Sequence, residues 1–293
     1  MTVFCVGSIN ADHFYDVPHI PAPGETLEGS NHRVGLGGKG ANQSVAAARA
    51  GAEVVHIGAV GEDGAWAIAR MQSLGVDTRH ISTVDVPTAH AIINVASDGE
   101  NAIVIYPGAN RAITKAMVSD AFKKAEAGDR LILQNEASMQ VEAARLAQRA
   151  GMQVIYSAAP FDAEAVRSVL EFTDVIVVND LEARQLEEAF GTALAELPVQ
   201  GVVVTRGAEG ADYIAGREVI HADALKVTAR DTTGAGDTFL GYFVAALDAD
   251  LDTQSALTLA SAAAALKVTR PGTADAIPSR AEVEAFRAEH AAP

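Results

Sequence analysis

One cysteine, Cys5, stands in a chain of 293 residues, so no disulfide can close within it. That fits a reducing, cytoplasmic setting. Cys5 lies in the apolar run Val3–Val6 and reads as inert core. Aromatic residues make up only 5% of the chain, while Ala, Val and Gly abound. Small side chains of this kind suit helices packed closely on a parallel sheet. No apolar stretch is long enough to span a bilayer, and no basic segment leads into a signal-like apolar run at the N-terminus. Positive charge is scarce: 22 Lys and Arg against 38 Asp and Glu leave a net charge of −16. Such acidity argues against nucleic acid or a membrane surface as partner. An anionic substrate would need a locally positive site. The eight histidines show neither H-E-x-x-H nor a paired metal spacing, which argues against a structural zinc. Ser8, Ser44 and Ser157 lack a nucleophile-elbow context, so a hydrolase triad has no support.

What is present is a regular alternation. After a buried first strand (1–7) come the turn residues Asn10, Asp12, Pro18, Pro21, Pro23 and Gly24, then an extended arm over 26–34. A helix at 41–50, a strand at 54–60 and a helix at 65–74 follow. Short runs at 91–96 and 102–106, joined by Ser97-Asp98-Gly99-Glu100, have hairpin chemistry. Strands are then expected at 130–134, 153–156, 174–178 and 201–205, interleaved with helices at 114–126, 139–150, 163–170 and 181–190. A hairpin at 211–222 and helices at 238–247, 253–268 and 280–289 close the pattern. Strand–helix alternation means a mostly parallel sheet covered by helices on both faces. Nothing linker-like divides the chain. Segments 11–35 and 88–106 do not fit the alternation and together suggest a small β-sheet projecting as a flap.

The most informative residues are Asp231-Thr232-Thr233-Gly234-Ala235-Gly236-Asp237-Thr238, between a strand-like run and an apolar helix. Two glycines let the backbone aim N–H groups at one point, and the helix behind adds its positive end. Gly234, Ala235 and Gly236 thus form an anion cradle. Asp237 beside it reads as a general base next to a transferring phosphoryl group. The plainer alternative is a strand–turn–helix corner with Asp237 as N-cap.

Gly35-Leu36-Gly37-Gly38-Lys39-Gly40 formally matches G-x-G-x-x-G, but it follows Pro-rich segments and no acidic residue lies at the expected distance. A nicotinamide-dependent oxidoreductase is disfavoured. A Gly-rich turn entering a helix, with Lys39 and Asn42, instead suits a polyol. Asn10 and Asp12 follow the first strand, where α/β ligand sites gather. Glu136, Asn179 and Thr205-Arg206-Gly207 end three further strands and point to the same edge. Asn179-Asp180-Leu181-Glu182 also resembles a helix start, so Asn179 could simply be a cap.

Gly37-Gly38-Lys39-Gly40-Ala41-Asn42-Gln43 and Asp231 to Phe239 resemble, in order and separation, the two signatures of the ribokinase-like (PfkB) carbohydrate kinases. Gly7 to His13, Pro23-Gly24-Glu25-Thr26 and Gly108-Ala109-Asn110 strengthen the likeness. The resemblance implies one α/β kinase domain over residues 1–293, with a small β lid that covers a sugar and pairs two subunits as a homodimer. It implies transfer from ATP to a sugar hydroxymethyl group, ribose first, with deoxyribose, a ketose, a sugar acid or a nucleoside as alternatives. It carries Asn10, Asp12, Gly38, Lys39, Asn42 and Glu136 to sugar contacts, and Asp237 to the base. Asn179, Thr205, Gly207, Gly234 and Gly236 go to ATP contacts, and Glu182 to the Mg²⁺–phosphate water network. Oxygens of Asp231, Thr233, Lys267, Gly272 and Ala276 go to a monovalent cation, K⁺. Four departures bear on the sugar and the cation: Ser157-Ala158-Ala159-Pro160 for Asn-Pro-Ala-Pro, Tyr106-Pro107 for His-Ala, Asn135 for an apolar residue, and Ala276 for Ser. A non-catalytic sensing module of the same fold is a rival that the intact catalytic loop disfavours.

Overall fold

The computed structural model describes residues 1–290. The chain opens with β1 (Thr2–Val6), β2 (Asn10–Val17), β3 (Asn31–Gly37), α1 (Lys39–Ala50), β4 (Glu53–Val60), α2 (Ala65–Ser73), β5 (Asp77–Thr83), β6 (Ala89–Ala96) and β7 (Asn101–Tyr106). Strands and helices then alternate: α3 (Lys115–Ala121), β8 (Arg130–Leu133), α4 (Gln140–Arg149), β9 (Gln153–Ser157), α5 (Ala163–Val169), β10 (Val175–Asn179), α6 (Asp180–Phe190) and β11 (Gly201–Thr205). The hairpin β12 (Ala211–Ala215) and β13 (Glu218–Ala222) precedes α7 (Ala235–Asp248), α8 (Thr253–Val268) and α9 (Arg280–His290).

Nine strands form one sheet in the order β13-β12-β11-β10-β9-β8-β1-β4-β5. All neighbours pair in parallel except β12, which is antiparallel to both of its own. Side chains of β1 alternate between two cores. Val3 and Cys5 join the one under α1, α7 and α8, whereas Phe4 and Val6 join the one under α3 to α6. Strands buried on both faces read as continuous apolar runs, which is why β8 and β10 stand out in the sequence.

Helices α1 and α7 cross unusually closely. A side chain at Gly241 would collide with Cβ of Ala46 and lie 2.6 Å from the carbonyl oxygen of Gln43. Glycine there, one turn beyond Asp237, lets α7 press its first turn against α1.

The smaller sheet has the order β3-β2-β6-β7, with β2 and β6 parallel and the outer pairs antiparallel. Phe14, Ala91 and Ile93 give it a core of its own. The segment holding Asn10 and Asp12, expected as turns, is strand β2, and residues 26–30 of the expected arm are not strand. Polar side chains that face a site had erased the alternation. Likewise β5 is a polar edge strand that no apolar run announces, and the helix expected over 114–126 ends at Ala121, followed by a 3₁₀ turn at Phe122–Lys124.

Candidate active site

From β1 the chain moves to β4 and β5 on one side, then returns to β8 on the other. A crevice therefore opens beyond the carboxyl ends of β1 and β8. Ser8 follows β1 and Glu136 follows β8. The Ser8 hydroxyl donates to Glu136 Oε2 at 2.6 Å, the Lys39 N–H donates to the same oxygen at 3.1 Å, and the Gly40 N–H donates to Ser8 Oγ at 3.2 Å. The start of α1 is thus tied to both strand ends. Glu136 keeps its second oxygen for another donor.

Asn10 and Asp12 project from β2 beside them. Asn110 Nδ2 donates to Asn10 Oδ1 at 2.9 Å and fixes that amide. Asp12 is buried, and its pKa is pushed up to about 7, first by burial and then by the carboxylates of Glu136 and Asp237. A buried carboxylate needs hydrogen-bond donors, and vicinal hydroxyls would supply them. Burial pulls Lys39 down, but the carboxylates of Asp237, Glu136 and Glu182 outweigh it and leave the ammonium above its ordinary value. Lys39 is the local positive charge that an anionic substrate requires.

Asp237 lies in the first turn of α7. The N-cap is Gly234, left-handed at φ 72, and no side chain caps the helix. The alternative of Asp237 as N-cap is therefore ruled out. Instead Asn42 Nδ2 donates to Asp237 Oδ2 at 3.0 Å and Gln43 Nε2 donates to Oδ1 at 2.8 Å. Both partners are neutral amides, so among the described residues no ion pair holds this buried carboxylate. Behind it, Gln134 Nε2 donates to Gln43 Oε1 at 2.7 Å. Among the described residues Asn42 Oδ1 is buried with no hydrogen-bond partner. The Ala235 N–H donates to the Thr232 carbonyl at 3.2 Å, within the loop itself.

A cavity of about 450 Å³ adjoins the loop, a size ordinary for a small-molecule site. Thr205, Gly207, Ala235 and Gly236 line it, with Leu225, Val227 and Phe239 as apolar walls. Asn179 is not among the lining residues. Its Oδ1 accepts the N–H groups of Leu181 and Glu182, while Glu182 Oε2 accepts its N–H at 2.9 Å. These two residues form a capping box for α6, and each retains one free polar group. Burial raises the Glu182 pKa, the N–H of Asn179 and the Lys39 ammonium oppose it, and Asp237 adds to the rise. Below the loop, Asp231 accepts from the N–H groups of Thr233 at 2.9 Å and Gly272 at 2.8 Å, and Lys267 Nζ donates to the Asp231 carbonyl at 3.1 Å. Ala276 sits in the adjacent 3₁₀ turn.

Three residues escaped the sequence reading, Ser8, Gln43 and Gln134, while Arg206 was named only for its place at a strand end. Arg206 pairs with Asp180 and, at 2.6 Å, with Asp212, strapping the β11 loop to the start of α6. Gln43 sat inside the quoted motif, and Gln134 is the polar residue ending an apolar strand. The departures also find a reason. Asn135 accepts from the Tyr156 hydroxyl and donates to the Pro160 carbonyl at 2.9 Å, so it organises the 157–160 loop.

A carboxylate held by neutral amides, an uncapped helix start and an adjoining cavity suit phosphoryl transfer to an alcohol, and the chain is an enzyme of that class. The model of the pfkB family of carbohydrate kinases matches residues 2–280. Ribokinase of Haemophilus influenzae is 37% identical, covering 99% of both chains, and deoxyribokinase of Salmonella typhi is 30% identical over 95% of this chain and 96% of its own. The structure of Arabidopsis thaliana ribokinase complexed with ribose and ATP superposes with a TM-score of 0.83 at 28% identity, covering 97% of each chain. The chain belongs to the pfkB family of carbohydrate kinases.

Proposed function

We propose that this kinase transfers the γ-phosphoryl group of ATP to the 5-hydroxymethyl group of D-ribose. The observation that carries the reading is Asp237, buried, free of any ion pair and one turn from amides able to meet a phosphate. Asn10, Asp12, Gly38, Lys39, Asn42 and Glu136 are assigned to the sugar. Thr205, Gly207, Gly234 and Gly236 are assigned to the nucleotide, with Asn179 reaching it through its free amide N–H₂. A carboxylate cannot ionise an alcohol in advance. Asp237 orients the hydroxyl and takes its proton late, as a loose transition state permits. Placement and the Gly236 N–H, joined by the Ala235 N–H once it leaves the Thr232 carbonyl, then supply most of the acceleration.

Mg²⁺ fits as a companion of the ATP phosphates, since the free Glu182 oxygen can hold its water shell and the described residues contain no protein cage of three or more ligands. One kinase domain is assigned to 1–293, of which 291–293 lie outside the described residues, with the small sheet as a lid drawn from segments 11–35 and 88–106. The lid's β7 exposes Ile103, Val104, Ile105 and Tyr106, which supports pairing with a second copy. No helix among the described residues is long and apolar enough to cross a membrane, and the one cysteine is buried. Both support a cytoplasmic enzyme. The acidic charge leaves nucleic acid without a role.

Deoxyribose is the second reading, favoured by the deoxyribokinase among the relatives. Ketoses, sugar acids and nucleosides complete the set. ADP release across these compounds tests the proposal: ribose should give the highest kcat/KM, and a clear preference for another compound would reassign the substrate.

A further inference from the structure

The monovalent cation implied by the family likeness does not fit the residues present. It would need oxygens from Asp231, Thr233, Lys267, Gly272 and Ala276. Lys267 is fully buried at the last turn of α8, and its Nζ lies 3.1 Å from the carbonyl oxygen of Asp231, one of those oxygens. Its own carbonyl already accepts the Arg270 N–H at 2.9 Å. Both carboxylate oxygens of Asp231 accept backbone N–H groups, and Ala276 has no side-chain oxygen to offer. A K⁺ ion placed among these groups would meet an ammonium in a poorly solvated interior, where like charges repel strongly.

We propose that the Lys267 ammonium is itself the cation beneath the anion-binding loop, so that this kinase works without K⁺. The inference rests on the kinase reading above. Two positions make the lysine suitable. It ends α8, where the helix dipole favours positive charge. It also faces Asp231, the residue that opens the loop running to Asp237. Burial lowers the Lys267 pKa, and the carboxylates of Asp231 and Asp237 oppose that fall. By donating to the Asp231 carbonyl, the ammonium fixes and polarises the first peptide of the Thr232–Gly236 turn. A dissolved cation would do the same, but its occupancy would depend on concentration. A tethered one is always present.

The test uses the full-length protein with MgATP and the preferred sugar, in KCl and in tetramethylammonium chloride at matched ionic strength. Wild-type turnover should differ by less than about twofold between the salts, and Lys267→Ala should lose roughly 10-fold or more in tetramethylammonium and recover in KCl. Thermal unfolding is the second readout. KCl should raise the melting temperature of Lys267→Ala, whose vacated space can bind the ion, and leave the wild type unmoved. Strong K⁺ activation or K⁺-dependent stabilisation of the wild type would overturn the proposal, as would a Lys267→Ala protein indifferent to K⁺ in both readouts. If Lys267→Ala does not fold, the wild-type comparison decides. If no sugar is phosphorylated in either salt, the kinase reading fails, and the melting comparison still decides the cation question.

Discussion

Replacing Asp12 by Asn should stabilise the folded protein above neutral pH while destroying its grip on the sugar. Burial, with help from the Glu136 and Asp237 carboxylates, raises the Asp12 pKa from 3.8 to about 7. The folded state therefore holds this proton more tightly than the unfolded chain. The penalty is absent below pH ~4, grows as pH rises through the interval, and is complete above about 7. Three pKa units at 1.36 kcal/mol each set a ceiling of ~4 kcal/mol, and relaxation of the neighbours brings the expected gain in Asp12→Asn to roughly 2–4 kcal/mol at pH 8. The gain should vanish near pH 4. Urea unfolding at several pH values measures it, and initial rates give the sugar KM, which should rise at least ~10-fold because the amide replaces one of the two acceptor oxygens by an N–H₂ that can only donate. A variant less stable than wild type at pH 8, or equally stabilised at pH 4 and pH 8, would refute the electrostatic reasoning. The same pKa predicts that wild-type kcat/KM for the sugar falls as pH drops below about 7, since protonation removes an acceptor.

Gln43→Leu removes one of the two donors holding Asp237 and leaves Gln134 Nε2 with only the weak acceptor Cys5 Sγ, at 3.4 Å. Turnover should fall roughly 10–10²-fold with the ATP KM unchanged, and an unaltered kcat would remove Gln43 from the catalytic geometry. Val104, 69% exposed on the lid edge, should weaken subunit pairing when changed to Asp, seen as a smaller sedimenting mass. Equal masses for Val104→Asp and wild type would count against pairing through that edge.

The large sheet was legible because β8 to β11 are buried on both faces and must be apolar throughout. The loop before α7 was legible because its glycines and its acidic residue are contiguous. Strand β2 was not, since the buried polar residues Asn10 and Asp12 break the pattern a strand should show. The partner of Asp237 was hidden for a different reason. Gln43 lies 194 residues away, and only the close crossing at Gly241 brings them together. Asn179 and Glu182 show the converse: their spacing announces a helix start, and they do cap α6. The family likeness assigned Lys267 to the cation site through an oxygen. No local feature reveals that its ammonium turns inward to the Asp231 carbonyl.

The most direct measurement is turnover of Asp237→Asn beside calorimetric sugar binding. Asparagine keeps the shape and the contact with Asn42 but cannot take the proton, so kcat should fall roughly 10²–10⁴-fold while the sugar still binds. A variant that phosphorylates at the wild-type rate would contradict the role assigned to this carboxylate.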